Sequence, residues 1–144
     1  MADLHAQHPT TARWAHVLLR IVAGAVVCQH GAQKLFGLLG GIDGAGHAAG
    51  VGLTLVGIAG PIEFIGGVLV VLGLFTRPVA FLLSGEMAAA YFLMHFPRGF
   101  WPVLNRGETP VLLCFAFLYL AATGAGAFSF DYLRTRNRPS AVMR

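Results

Sequence analysis

The sequence predicts an all-α integral membrane protein, a four-helix bundle, and three observations carry that expectation. The first is composition. Of 144 residues, 56% are hydrophobic and only 11% charged, whereas a soluble domain carries about 25% charged residues. Mean hydropathy is +0.70, and ten basic and six acidic side chains cannot coat a soluble protein of this size. The second is the recurrence of four apolar segments, each long enough for a bilayer core of ~30 Å at about 1.5 Å per helical residue. The third is the uneven placement of Lys and Arg around those segments.

The spans are expected at about residues 15–39, 53–75, 78–96 and 108–127, within one domain covering 1–144. Thr10 and Thr11 are candidate caps for the first helix. The N-terminal stretch lacks the cationic start and small-residue cleavage site of a signal peptide, so the first apolar segment is expected to stay. "GGIDGAGHAAG" is too polar and too rich in glycine to span. "LTLVGIAGPIEFIGGVLVVLGLF" forms the second segment. Its Pro61 frees a carbonyl near Gly57, and a kink is expected there. Thr76 and Arg77 make a tight turn, with Pro78 suited to the first turn of the third helix. "PRGFWPVLNRGETP" breaks the pattern before Pro110 opens the last segment. Residues 131–144 form a basic tail that includes Arg134, Arg136, Arg138 and Arg144.

Arg13, Arg77 and the tail arginines lie on one side, while Arg98 and Arg106 face them with Asp43 and Glu108 alongside. The positive-inside rule puts both termini and the Arg77 turn in the cytoplasm. Next to an apolar segment the tail reads as a membrane anchor, so no nucleic acid is expected as a partner. Gly24/Gly31, Gly57/Gly60 and Gly66/Gly67/Gly73 fall at spacings that leave smooth helix faces for close packing. A second copy of the chain stays open as a partner. Cys28 and Cys114 sit in apolar runs with no C-x-x-C, which argues against thiol–disulfide chemistry.

Polar residues at membrane depth carry the functional signal. Arg20, His30, Lys34, Glu63, Glu86 and His95 all fall inside or at the ends of apolar segments. An ionisable group at a helix centre costs about 2.5–3.5 kcal/mol on insertion scales, so such groups pair, stay neutral or line a cavity. In a structural reading Glu63 and Glu86 join helix to helix and Arg20 pairs with one of them. A polar site between helices is favoured for the set as a whole, because leucine packs more cheaply. His30, Gln33 and Lys34 share one helical face. So do Glu86, Ala89 or Ala90, and Leu93, with Met87, Tyr91 and His95 on the adjacent stripe. The depths of His30 and His95 differ too much for a shared haem, and no metal site is expected. There is no nucleotide loop and no cysteine cluster, so the chain shows no electron carrier of its own.

Five motifs then arrive in order. They are H-G-x-x-K-L-F-G from His30, E-F-x-G-G from Glu63, G-L-x-T-R from Gly73, H-x-x-x-G-F from His95, and N-x-G-E-x-P from Asn105. Together they resemble the DoxX family of small bacterial membrane proteins over about residues 20–131. The resemblance implies a four-helix membrane bundle in the bacterial inner membrane. It carries over His30, Lys34, Glu63, Arg77, His95, Asn105 and Glu108 by motif, and Glu86 from the matched stretch between the third and fourth motifs. Relatives include the quinone-reducing subunit of a thiosulfate:quinone oxidoreductase and proteins linked to quinone or oxidative stress. This chain reads N-R-G-E where the family pattern is N-G-G-E, so Arg106 alters the outer loop.

A quinone-linked oxidoreductase subunit is therefore the leading expectation, with a quinone as cofactor. Its catalytic residues are expected to be Glu63 and Glu86, carboxylic acids that desolvation keeps able to hold protons. His30, Gln33, Lys34 and His95 are expected to bind the ligand, with Arg20, Asn105 and Glu108 completing the set. Partners would be the lipid bilayer, a small molecule and a soluble redox protein that supplies electrons. Two alternatives stay open: a non-enzymatic scaffold that recruits redox partners, and a small transporter or lipid-binding bundle.

Overall fold

The computed structural model describes residues 10–136; Arg138 and Arg144 of the basic tail lie outside that range. The described chain is helical. Helix α1 spans Thr10–Phe36, α2 Leu55–Leu72, α3 Thr76–Ala90, α4 Pro102–Asn105, α5 Glu108–Thr123 and α6 Phe130–Arg136. A π turn over Tyr91–His95 and a 3-10 turn over Phe96–Arg98 extend α3. Three helical stretches are long and apolar enough to cross a membrane: Thr10–Phe36, Leu55–Leu72 and Thr76–Arg98. Helix α5 is apolar but has 16 residues, about 24 Å of rise, short of a ~30 Å core.

Polarity is inverted relative to a soluble protein. Outward positions such as Leu18, Val22, Ile65, Phe81, Leu112 and Phe115 are exposed, while Arg20 and Glu63 rank among the largest fully buried side chains. In water such a surface would aggregate. Against lipid it is the cheap arrangement, and the buried polar groups then need partners inside.

Local chemistry sets the helix ends. Gly37 adopts φ 68° and stops α1, where its N–H donates to the Gln33 carbonyl at 3.1 Å. The Thr54 hydroxyl caps α2 by accepting from Gly57 N at 3.0 Å. Helix α2 continues through Pro61 to Gly73, whose left-handed conformation ends it. No side chain of its own segment caps α3. Instead the Asp131 carboxylate on α6 accepts from the backbone N–H of Phe75 at 2.9 Å and Thr76 at 2.8 Å. A negative charge at a helix N-terminus is favourable there, and the contact fastens the C-terminal helix across the α2–α3 turn.

The strongest packing pairs are α1 with α2 and α3 with α5, while α2 and α3 touch more sparsely. Glycines explain the first pair. A Cβ on Gly67 would lie 2.7 Å from the Cys28 N and the Gly24 carbonyl, and one on Gly31 would lie 2.8 Å from the Gly60 carbonyl. The two backbones therefore run in direct contact, as small residues allow in membranes. Between the pairs sits a core of Ala23, Val27, Val70, Leu83, Met87, Leu113, Phe117 and Leu120.

Candidate functional site

His30 and Lys34 of α1, Glu63 of α2 and Glu86 of α3 gather toward the end of the molecule that holds the α1–α2 connection. Lys34 lies in the last turn of α1, and its ammonium donates to Oε1 of Glu63 on α2 in a short ion pair. The Lys34 side chain is 23% exposed and that of Glu63 2%. Glu86 on α3 lines the same cavity wall as Lys34. The Oε2 atoms of Glu63 and Glu86 are buried without a hydrogen-bond partner. Of the two carboxyls, Glu63 takes the ammonium as its ion-pair partner.

A cavity of about 410 Å³ opens beside this triad. Its wall carries His30, Lys34, Glu86 and His95 among apolar residues of α2 and α3 such as Leu55, Ile58, Ala89 and Leu93. Leu55, Ile58 and Leu93 are each about half exposed on the outer surface as well. The cavity thus opens onto the apolar exterior along the sparse α2–α3 seam. Glu63 stands behind Lys34 rather than on the wall.

Histidine 95 reaches this cavity through a backbone irregularity. Glu86 and His95 are nine positions apart, which in a regular α-helix turns them about 180° from one another. The π turn at Tyr91–His95 absorbs an extra residue and winds the helix back by about 100°, bringing both onto one wall. His95 is held there by a hydrogen bond of 3.1 Å between its Nδ1 and the Asn105 carbonyl. Because a carbonyl only accepts, Nδ1 carries the proton, and in the neutral ring Nε2 is left as an acceptor.

Asn105 itself is 2% exposed. Its side chain donates to the Gly99 carbonyl at 2.6 Å and accepts from Gly107 N at 2.8 Å. Tyr91 donates to the Phe100 carbonyl. Gly107 leaves room for the Tyr91 ring, since a Cβ there would come within 2.7 Å of it. Asn105 therefore braces the loop that orients His95, and the structure gives it no place on the cavity wall.

Three other expectations are corrected. Arg20 does not pair with a glutamate. Its guanidinium donates to the carbonyls of Ala125 at 2.9 Å and Phe128 at 2.8 Å, fourteen residues and about 21 Å along α1 from Lys34. Its length lets it pin the 124–129 connection from inside the bundle. Gln33 is turned from the cavity and donates to the Leu39 carbonyl at 3.3 Å. Glu108 sits exposed in the first turn of α5, away from the wall.

The α1–α2 connection closes over this end. Ala49 N donates to the Lys34 carbonyl at 2.8 Å. Asp43 accepts from His47 Nδ1 at 2.5 Å and from Ala45 N at 2.9 Å, and these bonds hold its carboxyl below the usual range. Cys28 and Cys114 are free thiols. No cluster of three or more His, Cys, Asp or Glu residues fit to hold a metal occurs among the described residues. A second cavity of about 540 Å³ lies near the other end, between Arg13, His16, Tyr119 and Tyr132. None of the residues singled out as catalytic or ligand-binding lines it.

Fold and site define a helical membrane protein with a charged triad beside a lipid-side cavity. The chain belongs to the DoxX family, whose profile matches residues 15–96. An uncharacterized protein of Haemophilus influenzae is 43% identical over 116 residues, covering 78% of this chain and 85% of the relative. A Bacillus subtilis protein named "Putative oxidoreductase CatD" is 31% identical over 115 residues, covering 80% and 83%. An uncharacterized membrane protein of Mycobacterium tuberculosis is 26% identical over 142 residues, covering 89% and 83%. No solved structure matches the chain.

Proposed function

We propose that this protein is a bacterial inner-membrane four-helix bundle, built from α1, α2, α3 and α5, that binds a quinone-class molecule in the α1–α2–α3 cavity and serves as the membrane subunit of an oxidoreductase. The observation that carries the reading is one wall holding His30, Lys34, Glu86 and His95 around a mostly apolar volume of about 410 Å³. A substituted quinone ring fits that size. Its apolar tail suits an opening on the lipid side, and its two oxygens need polar groups at the wall. The oxidoreductase name of the Bacillus subtilis relative supports the direction of the proposal.

In this reading the residues of the chain bind, orient and handle protons, while electrons arrive from a soluble partner protein or a small reductant. Lys34 and Glu63 fix the electrostatic frame. Glu86, partly buried on the cavity wall, is the group placed to exchange a proton with the ligand. His95, braced through Asn105, is the second. Both termini lie in the cytoplasm, where the Arg-rich end would receive the partner.

Binding of a short-chain ubiquinone to the purified chain in detergent tests the reading, with His30→Ala and a thermal melt as control. Saturable micromolar binding that weakens in a folded His30→Ala protein is expected. Unchanged affinity in that variant would place the ligand elsewhere. Binding without turnover, under every donor offered, would point to the scaffold alternative.

A further inference from the structure

We propose that the cavity of about 540 Å³ at the end opposite the triad is a site for the phosphate headgroup of an anionic phospholipid, with the Arg13 guanidinium as its charge partner. This site shares no wall residue with the α1–α2–α3 cavity and does not depend on the quinone reading.

The acceptors of this wall are taken, and donors remain. Carbonyls at the C-terminal end of α5 would repel an anion, but side chains hold them. Arg77 donates to Ala121 and Ala122, His16 to Gly124 at 3.0 Å, and Arg20 to Ala125 at 2.9 Å. Asp131 also lines the cavity, yet its two oxygens accept from the backbone N–H groups of Phe75 and Thr76. Arg13 is exposed on the wall and forms no ion pair among the described residues. The Tyr132 hydroxyl, on the same wall, makes no hydrogen bond among them either. A ligand that fits must therefore bring acceptors and negative charge. Arg20 and Arg77, set behind the wall, outweigh Asp131 and favour an anion further.

Position selects a lipid phosphate among anions. Arg13 also borders a smaller cavity of about 210 Å³ with Trp14, Val17 and Phe128. The rings of Trp14 and Phe128 stack with centroids 5.0 Å apart, and both are exposed. Such rings mark the headgroup layer of a bilayer. Leu18 and Val22, one and two turns further along the Trp14 stripe of α1, are exposed and apolar, a track for an acyl chain. Arg13 stands at the junction, with the larger cavity for the phosphate on one side and the apolar track on the other. Its planar fork suits two phosphate oxygens at once.

The test uses the full chain carrying Trp101→Phe in detergent, which leaves Trp14 as the one indole. It is titrated with phosphatidylglycerol brominated on its chains, which quenches an adjacent indole. Saturable quenching is expected at about tenfold less lipid than with brominated phosphatidylcholine. Arg13→Gln should remove that preference, with a thermal melt to confirm the fold, while Arg98→Gln at the other end keeps it. Equal quenching by the two lipids, or a preference that survives in a folded Arg13→Gln protein, would overturn the proposal. Glycerophosphoglycerol, the headgroup without chains, separates a lipid from a soluble phosphate ester. It should displace the brominated lipid only at concentrations about a hundredfold higher, because it buries no chain. Displacement at equal concentration would overturn the lipid assignment and make a soluble phosphate ester the ligand.

Discussion

The Lys34 ammonium and the Glu63 carboxylate form an ion pair across the contact between α1 and α2, with Glu63 almost wholly enclosed and Lys34 partly open. The pair explains how a carboxylate survives in a dry interior. It also leaves the nearby Glu86 without a cation of its own. The proton chemistry proposed for this protein follows from that imbalance.

Breaking the pair from its two sides should have unequal effects. Lys34→Met strands an uncompensated buried carboxylate, at a cost of about 3–5 kcal/mol. Glu63→Gln should cost less, because the Lys34 stem can carry its charge to the interface. The double variant Lys34→Met/Glu63→Gln should be more stable than Lys34→Met alone. Unfolding titrations in detergent measure all three, and equal losses in both single variants would show that the pair is peripheral.

Glycine contacts between α1 and α2 predict a contrast. Gly31→Ala and Gly67→Ala each drive a methyl into backbone and should destabilise by about 1–3 kcal/mol. Gly85→Ala on α3, where a Cβ meets nothing within 4 Å, should be neutral or stabilising by up to about 1 kcal/mol. Thermal melts of the three variants decide the point, and a uniform response would contradict the close approach.

Arg20→Met should lower stability without changing ligand affinity. It leaves the Ala125 and Phe128 carbonyls unpaired, at about 1–3 kcal/mol for each buried group, yet it lies far along α1 from the cavity. A folded Arg20→Met protein with weakened quinone binding would return Arg20 to the site.

Orientation is tested by labelling. In a chain lacking Cys28 and Cys114, a cysteine introduced at Ala45 should react with an impermeant reagent in intact cells lacking an outer-membrane barrier. One introduced at Thr135 should not. The reverse pattern would invert the topology.

Much of this was legible in the sequence, for identifiable reasons. Lipid imposes a strong rule on composition, so the helices at Thr10–Phe36 and Leu55–Leu72 could be expected from hydropathy alone. His30, Lys34 and Glu86, singled out because a polar group at that depth needs a reason, line one cavity. Tertiary context decided the rest. Arg20 and Gln33 looked equivalent to Lys34 in one dimension, but their partners are carbonyls at Ala125, Phe128 and Leu39 that no periodicity reveals. His95 was expected on a stripe beside Glu86; only a π turn, which leaves no signature in hydropathy, brings it onto the same wall. Asp131 as the cap of α3 is a contact across 55 residues, beyond any local rule.

The central claim is that the cavity between α1, α2 and α3 holds the ligand, and photolabelling with an azido-substituted short-chain quinone tests it most directly. Peptide mapping after irradiation should find label in the stretches 55–62 and 86–95, which carry the α2 and α3 walls, with labelling suppressed by excess unlabelled quinone. Label concentrated in 119–135, around the second cavity, or label that excess quinone does not suppress, would contradict the account.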